Sequence, residues 1–259
     1  MIDLDESKAP LIEHLIELRR RLLISICALF VSGAVCYYFA DALLGFLIQP
    51  LKDGFGNTNG RLVYTKLYEA FFVELKVAMF GAFFISFPIT ANQLWLFIAP
   101  GLYAKEKRAF LPFLLATPIL FVSGAAFAYY LVMPTAFHFF LKFQGEAGGL
   151  NVEALPSMDS YLSLVMQFIL AFGISFLLPV LVMLINRAGL VSRAQLIAVR
   201  RYVIVGAVIL AAVLTPPDVI SQLMLAIPLC LLYELSLIAI WFTDRRAAKE
   251  QAQELAKAE

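Results

Sequence analysis

Read for the alternation of apolar and polar positions, the chain falls into six apolar stretches separated by short polar segments. The first runs from about Leu22 to Leu44, the second from Val77 to Ile98, the third from Phe110 to Met133 and the fourth from Leu162 to Ile185. Each meets the length of roughly 20 mostly apolar residues at which a helix crosses a hydrocarbon core of ~30 Å. The last two are less regular. Val203 to Leu214 is only twelve residues, or ~18 Å as a helix, which predicts local bilayer thinning or shielding by partners. Leu223 to Phe242 is long enough but holds Pro228 and Glu234. No period of about 20–50 residues recurs, so neither a solenoid nor an inverted-repeat transporter is indicated. The pattern predicts an all-α, polytopic integral membrane protein with six transmembrane helices. Its parts are an N-terminal helix over 1–21, one membrane domain over 22–242 and a charged tail over 243–259.

The segment before the first span has a different period. Leu11, Leu15, Leu18 and Leu22 recur at helical spacing, with Glu13, Glu17 and Arg20 or Arg21 on the polar side. Pro10 suits the first turn of such a helix. By itself this is an interfacial amphipathic helix with i,i+4 pairs such as Glu17–Arg21, each contributing about 0.2–0.5 kcal/mol.

Composition agrees with the pattern. Hydrophobic residues make up 62% of the chain and charged residues 15%, against roughly 45–50% and about 25% in soluble domains. The net charge of +1 gives no basic field for nucleic acid. Cys27, Cys36 and Cys230 all sit in apolar runs and read as small buried hydrophobes. Asp3, Asp5 and Glu6 ahead of the first span, with no small-residue cleavage site after it, argue against a cleaved signal peptide.

Basic residues set the expected orientation. Fifteen of the twenty lysines and arginines fall in the N-terminal segment, the loop after the second span, the loop after the fourth, and the tail. By the positive-inside rule both termini are cytoplasmic. The larger loops, about 45–70 and 134–160, then face outward, with turns marked by Gly54, Gly56, Gly60, Gly145, Gly148 and Gly149.

Catalytic chemistry finds no footing. His14 and His138 fall on opposite faces and lack metal-site spacing, and no G-x-x-x-x-G-K-[ST] loop is present, so no metal or cofactor is expected. Ser163 and Ser175 lie in spans without a nearby base and read as satisfied helix hydroxyls. The chain is not expected to be an enzyme.

Several segments in order do carry an identity. His14-Leu15-Ile16-Glu17-Leu18-Arg19-Arg20-Arg21 resembles the N-terminal signature of the TatC family, the multi-span subunit of the twin-arginine, Sec-independent protein translocase. The resemblance continues through Glu69-Ala70-Phe71-Phe72 with Lys76, and through Gln93-Leu94-Trp95-Leu96-Phe97-Ile98-Ala99-Pro100-Gly101-Leu102-Tyr103 followed by Glu106. It resumes at Ser160-Tyr161-Leu162-Ser163, at Ala171-Phe172-Gly173, and at Leu214-Thr215-Pro216-Pro217-Asp218 with Ser221-Gln222.

The resemblance implies a receptor for export signals that carry paired arginines. It assigns the carboxylates of Glu17 and Glu106 to that pair, with Leu18, Arg19 and Phe97 around them. The chemistry is suited: a guanidinium presents a rigid fork that a carboxylate meets with two parallel hydrogen bonds, and lysine cannot copy it. Arg19 has two readings, an interfacial anchor or a group that orients Glu17. The resemblance also implies single-span TatA-like and TatB-like partners, self-association, a bacterial inner (cytoplasmic) membrane as the setting and the proton motive force as the drive. Pro50, Lys76, Asp218, Gln222 and Glu234 are the matching polar or partner-contact positions.

Bland readings stand beside these. Lys76 can snorkel from the outer end of its span, and Asp218 is ordinary in a turn. Glu234, deep in the sixth span, needs a polar partner or a water-filled concavity, because a charge there costs about 2.5–3.5 kcal/mol or more. One departure stands out: many family members carry a glutamate or glutamine where this chain has Leu177, and Gln167, ten residues earlier, is the candidate to supply a polar group on a nearby face. The alternative function is a proton-coupled secondary transporter of a small solute, with Glu234, Gln93 and Gln167 lining a path. A third is an assembly scaffold.

Overall fold

The computed structural model describes residues 8–55, 61–102, 111–147, 150–152, 154–215 and 218–258. The chain folds into two compact units, Met1–Pro118 with Phe137–Met166, and Ile119–Ala136 with Gln167–Glu259. Five helical stretches among the described residues are long and apolar enough to cross a membrane.

In the first unit, α1 (Lys8–Tyr38) carries the amphipathic segment and the first span as one continuous helix. It packs against α3 (Glu69–Leu102). Their contacts run in opposite senses: His14 lies on Phe97, and Gly33 lies 3.8 Å from the Ala82 side chain, so the helices are antiparallel. The first span ends at Tyr38, six residues earlier than Leu44. A new helix, α2 (Ala40–Phe55), occupies the start of the expected outer loop. Its buried residues Ala40, Leu47, Pro50 and Leu51 recur near helical spacing, a period that the turn reading of Gly54 obscured.

The third span is longer than its apolar run suggests. α4 (Leu111–Phe127) passes through one π turn (Ala128–Val132) into α5 (Met133–Leu141), so helix reaches eight residues beyond Met133. Pro134 does not end it, because it falls in the first turn of α5, where its missing N–H is tolerated. A short antiparallel hairpin follows, β1 (Gly145–Ala147) with β2 (Leu150–Val152), and Gly145 enters it at φ 141°. Gly56, Gly60, Gly148 and Gly149 lie outside the described residues.

The fourth span is broken. α6 (Met158–Ser175) stops and α7 (Leu178–Arg187) restarts, because Pro179 has no N–H to continue the ladder. The Leu177 N–H instead donates to the Ile174 carbonyl at 3.0 Å, a tightened turn. In the second unit a six-residue helix, α8 (Arg193–Ala198), is closed by a Ser192–Gln195 capping box. It leads into α9 (Arg200–Leu214), fifteen residues long, and α10 (Val219–Ala258), forty residues long. Helix therefore continues through most of the charged tail. α10 packs on α7, α8 and α9 around Val182, Leu196, Tyr233, Leu237 and Ile240. The three cysteines are free. Only Cys36 is buried, against Ala78 and Ala82, whereas Cys27 is exposed on α1. An apolar span can face lipid as readily as protein, so apolar surroundings in the sequence did not imply burial within the fold.

Candidate functional site

The first candidate site forms where the start of α1 meets the end of α3. Arg21 sits one turn after Glu17, and both its Nε, at 3.0 Å, and an Nη donate to the same carboxylate oxygen, Oε1. Arg20, Arg21, Glu17, Ile24 and Gln93 line a cavity of about 280 Å³. Beside it His14 stacks on Phe97, ring centroids 4.3 Å apart and nearly parallel. Leu18 is exposed. Arg19 is exposed as well, and the guanidinium that meets Glu17 is that of Arg21. Glu106 lies outside the described residues.

Lys76 stands seventeen residues before Gln93 on α3, ~25 Å away along the helix. Its ammonium pairs with Asp159 and donates to the Ser163 hydroxyl at 3.1 Å. Asp159, which sequence reasoning passed over, is held in turn by Glu69. Glu69 accepts the Asp159 N–H at 3.0 Å on one oxygen. Its other oxygen accepts the Thr65 N–H and hydroxyl, at 2.7 and 2.8 Å, and the Lys66 N–H at 3.1 Å. This carboxylate thus clamps the segment before α3 to the first turn of α6, where an anion suits the helix dipole. A bridge between Val63 and Ser157 continues the clamp. Nearby, the buried Tyr161 hydroxyl donates to the Leu47 carbonyl at 2.8 Å, one turn before the buried Pro50. The signal for this cluster was present: Asp159 directly precedes Ser160-Tyr161-Leu162-Ser163, whose residues share its helix.

In the second unit Glu234 has the polar partner its depth demanded. Arg200 meets it as a full fork, Nε to Oε1 at 2.6 Å and Nη2 to Oε2 at 2.9 Å. Asp218 caps α10 by accepting the Ser221 N–H at 2.7 Å. Gln222 donates to the Val208 carbonyl at 3.3 Å, and Gln167 to the Leu214 carbonyl at 3.0 Å. Gln167 therefore satisfies the end of α9. Ser163 is satisfied as expected, but the buried Ser175 hydroxyl has no hydrogen-bond partner among the described residues. It lies next to the α6–α7 break, where the backbone no longer repeats as a helix.

Known proteins resemble this chain in sequence and fold. A family model described as the Sec-independent protein translocase protein TatC matches residues 13–228. The Sec-independent protein translocase protein TatC of Magnetococcus marinus is 50% identical over 252 residues, covering 97% of this chain and 91% of that protein. Its counterpart in Aquifex aeolicus is 40% identical over 230 residues, covering 88% and 93%. A crystal structure of the twin-arginine translocase receptor TatC in DDM superposes with a TM-score of 0.76 at 38% identity, covering 87% of this chain and 98% of that one. The chain therefore belongs to the TatC family of Sec-independent protein translocase proteins: it is a multi-pass membrane protein, a translocase subunit and not an enzyme.

Proposed function

We propose that this chain is the receptor subunit that reads paired arginines in export signals, with Glu17 and Glu106 as the two reading carboxylates. The observation that carries the reading is the state of Glu17. Its carboxylate borders a cavity, already meets a guanidinium, and keeps Oε2 free of hydrogen bonds among the described residues. Glu106 follows the end of α3 at Leu102 by four residues, a tether of at most ~14 Å even when fully extended. Since the end of α3 meets the start of α1, both carboxylates can reach one signal. Leu18 and Arg19 follow Glu17 in the chain and Phe97 stacks on His14 one turn before it, so these residues would take those flanking the arginine pair.

The remaining assignments follow from this one. The protein works in a bacterial cytoplasmic membrane with six spans and both termini inside, the short α9 serving as the fifth. The N-terminal helix over 1–21 then belongs to the cytoplasmic face, 22–242 to the membrane and 243–259 to a cytoplasmic tail. At fifteen residues, α9 covers only ~22 Å. It exposes Ile204, Val205, Ile209 and Val213, a surface suited to TatA-like or TatB-like single-span helices and to self-association within the complex. Gln222 and Glu234 fix α10 against α9 beneath that surface, and Asp218 caps the start of α10. Pro50 and Lys76 shape the opposite end of the first unit. Cargo moves at the expense of the proton gradient.

The test is titration of the purified protein in detergent with a twin-arginine signal peptide and its twin-lysine analogue. The reading expects at least tenfold tighter binding of the arginine peptide. Equal affinity for the two would refute it.

A further inference from the structure

Two arginine–carboxylate pairs in this molecule differ in geometry. Arg200 and Glu234 form a complete fork, each nitrogen on its own oxygen. Arg21 instead places two nitrogens on Oε1 of Glu17 and, among the described residues, leaves Oε2 without a hydrogen bond. The pair is half-buried, with side-chain exposures of 21% for Arg21 and 34% for Glu17, and Arg20 adds a second positive charge to the same cavity wall.

We propose that Arg21 is a resident occupant of the Glu17 site, one that an incoming guanidinium must displace and an incoming ammonium need not. The proposal rests on the reading of Glu17 as a signal-binding carboxylate. An arginine fork needs both carboxylate oxygens for two parallel bonds, and Arg21 holds one of them. A lysine ammonium is a point donor and can take Oε2 while Arg21 stays. Arg21 therefore weakens the arginine signal selectively, and sets the discrimination between arginine and lysine below what the bare carboxylate would give. It acts through Glu17 and is a specificity-determining positioning residue. A receptor that must release its signal after each round gains from such a competitor, because Arg21 refills the site as the signal leaves.

The experiment titrates twin-arginine and twin-lysine peptides against the full-length protein, Arg21→Gln, Arg21→Lys and Glu17→Gln, all in the same detergent. The readout is the ratio of the two affinities, since a change of overall charge acts on both peptides and cancels. Arg21→Gln is expected to raise the arginine-over-lysine ratio about two- to five-fold, the effect of removing one partly exposed competing ion pair. Arg21→Lys, which keeps the charge and tests the proposal even if Arg21→Gln fails to fold, is expected to move the ratio the same way. An unchanged ratio, or weaker binding of the arginine peptide relative to the lysine one, overturns the proposal and makes Arg21 an orienting group. Glu17→Gln is expected to lower the preference for arginine to the part that Glu106 supplies. If it leaves that preference intact, the receptor reading fails together with the proposal, an outcome distinct from failure in the Arg21 variants alone.

Discussion

Gly124 offers a sharp test of the packing. It sits on α4 against α6, and a Cβ built there would lie 2.5 Å from the Phe172 carbonyl oxygen and 2.8 Å from Cβ of Phe176. The nearest obstacle is backbone, so no rotamer change relieves it. The two helices must part by about 0.5 Å merely to bring that contact to 3.0 Å. Overpacking typically costs about 1–3 kcal/mol, and a rigid backbone contact belongs at the upper end. Helix propensity returns up to ~1 kcal/mol for replacing glycine with alanine, so Gly124→Ala should lose about 2 kcal/mol. Gly45 in α2 is the control. Nothing lies within 4 Å of its Cβ position, so Gly45→Ala should gain about 0.5–1 kcal/mol from reduced backbone entropy. Unfolding in mixed micelles, followed by Trp95 and Trp241 fluorescence, should thus separate the variants by roughly 2–3 kcal/mol. If Gly124→Ala is as stable as Gly45→Ala, the close α4–α6 approach described for this unit is wrong.

Two other expectations concern charged pairs. A double-mutant cycle on Arg200→Gln and Glu234→Gln should give a coupling of about 0.5–1 kcal/mol, since the fork is bidentate while both side chains are nearly half exposed. Coupling near zero would mean that water or lipid headgroups satisfy each charge separately. At the other site, Lys76→Glu and Asp159→Lys should each make the segment before α3 more sensitive to protease, and the double exchange should restore resistance in part. Failure of the double variant to recover would assign the clamp to Glu69 alone.

The long, nearly uncharged runs made the spans legible, because a bilayer demands length and apolarity and little else. What escaped was set by local backbone chemistry and by contacts far apart in the chain. Pro179 broke a run that hydropathy read as one span, and the π turn carried helix past Met133 despite Pro134. α2 was hidden because Gly54 resembles a turn signal, while its buried positions belong to the first unit's core. The Glu17–Arg21 pair was visible as an i,i+4 spacing. The pairing of Lys76 with Asp159 spans 83 positions, and no local period reports such a contact. Arg200 and Glu234 were each visible as a charge, but their partnership depends on how α9 packs against α10.

The central claim is that carboxylates at this mouth read arginines. The direct measurement is the dissociation constant of a twin-arginine signal peptide for the purified parent, Glu17→Gln and Glu106→Gln proteins. Removing one member of a partly desolvated, charge-assisted pair costs about 2–5 kcal/mol, so each variant should bind roughly 30-fold or more weakly while keeping the parent's unfolding profile. Charges that merely decorate the surface would change binding by less than ~1 kcal/mol, about fivefold. Both variants binding the peptide as tightly as the parent would contradict the account.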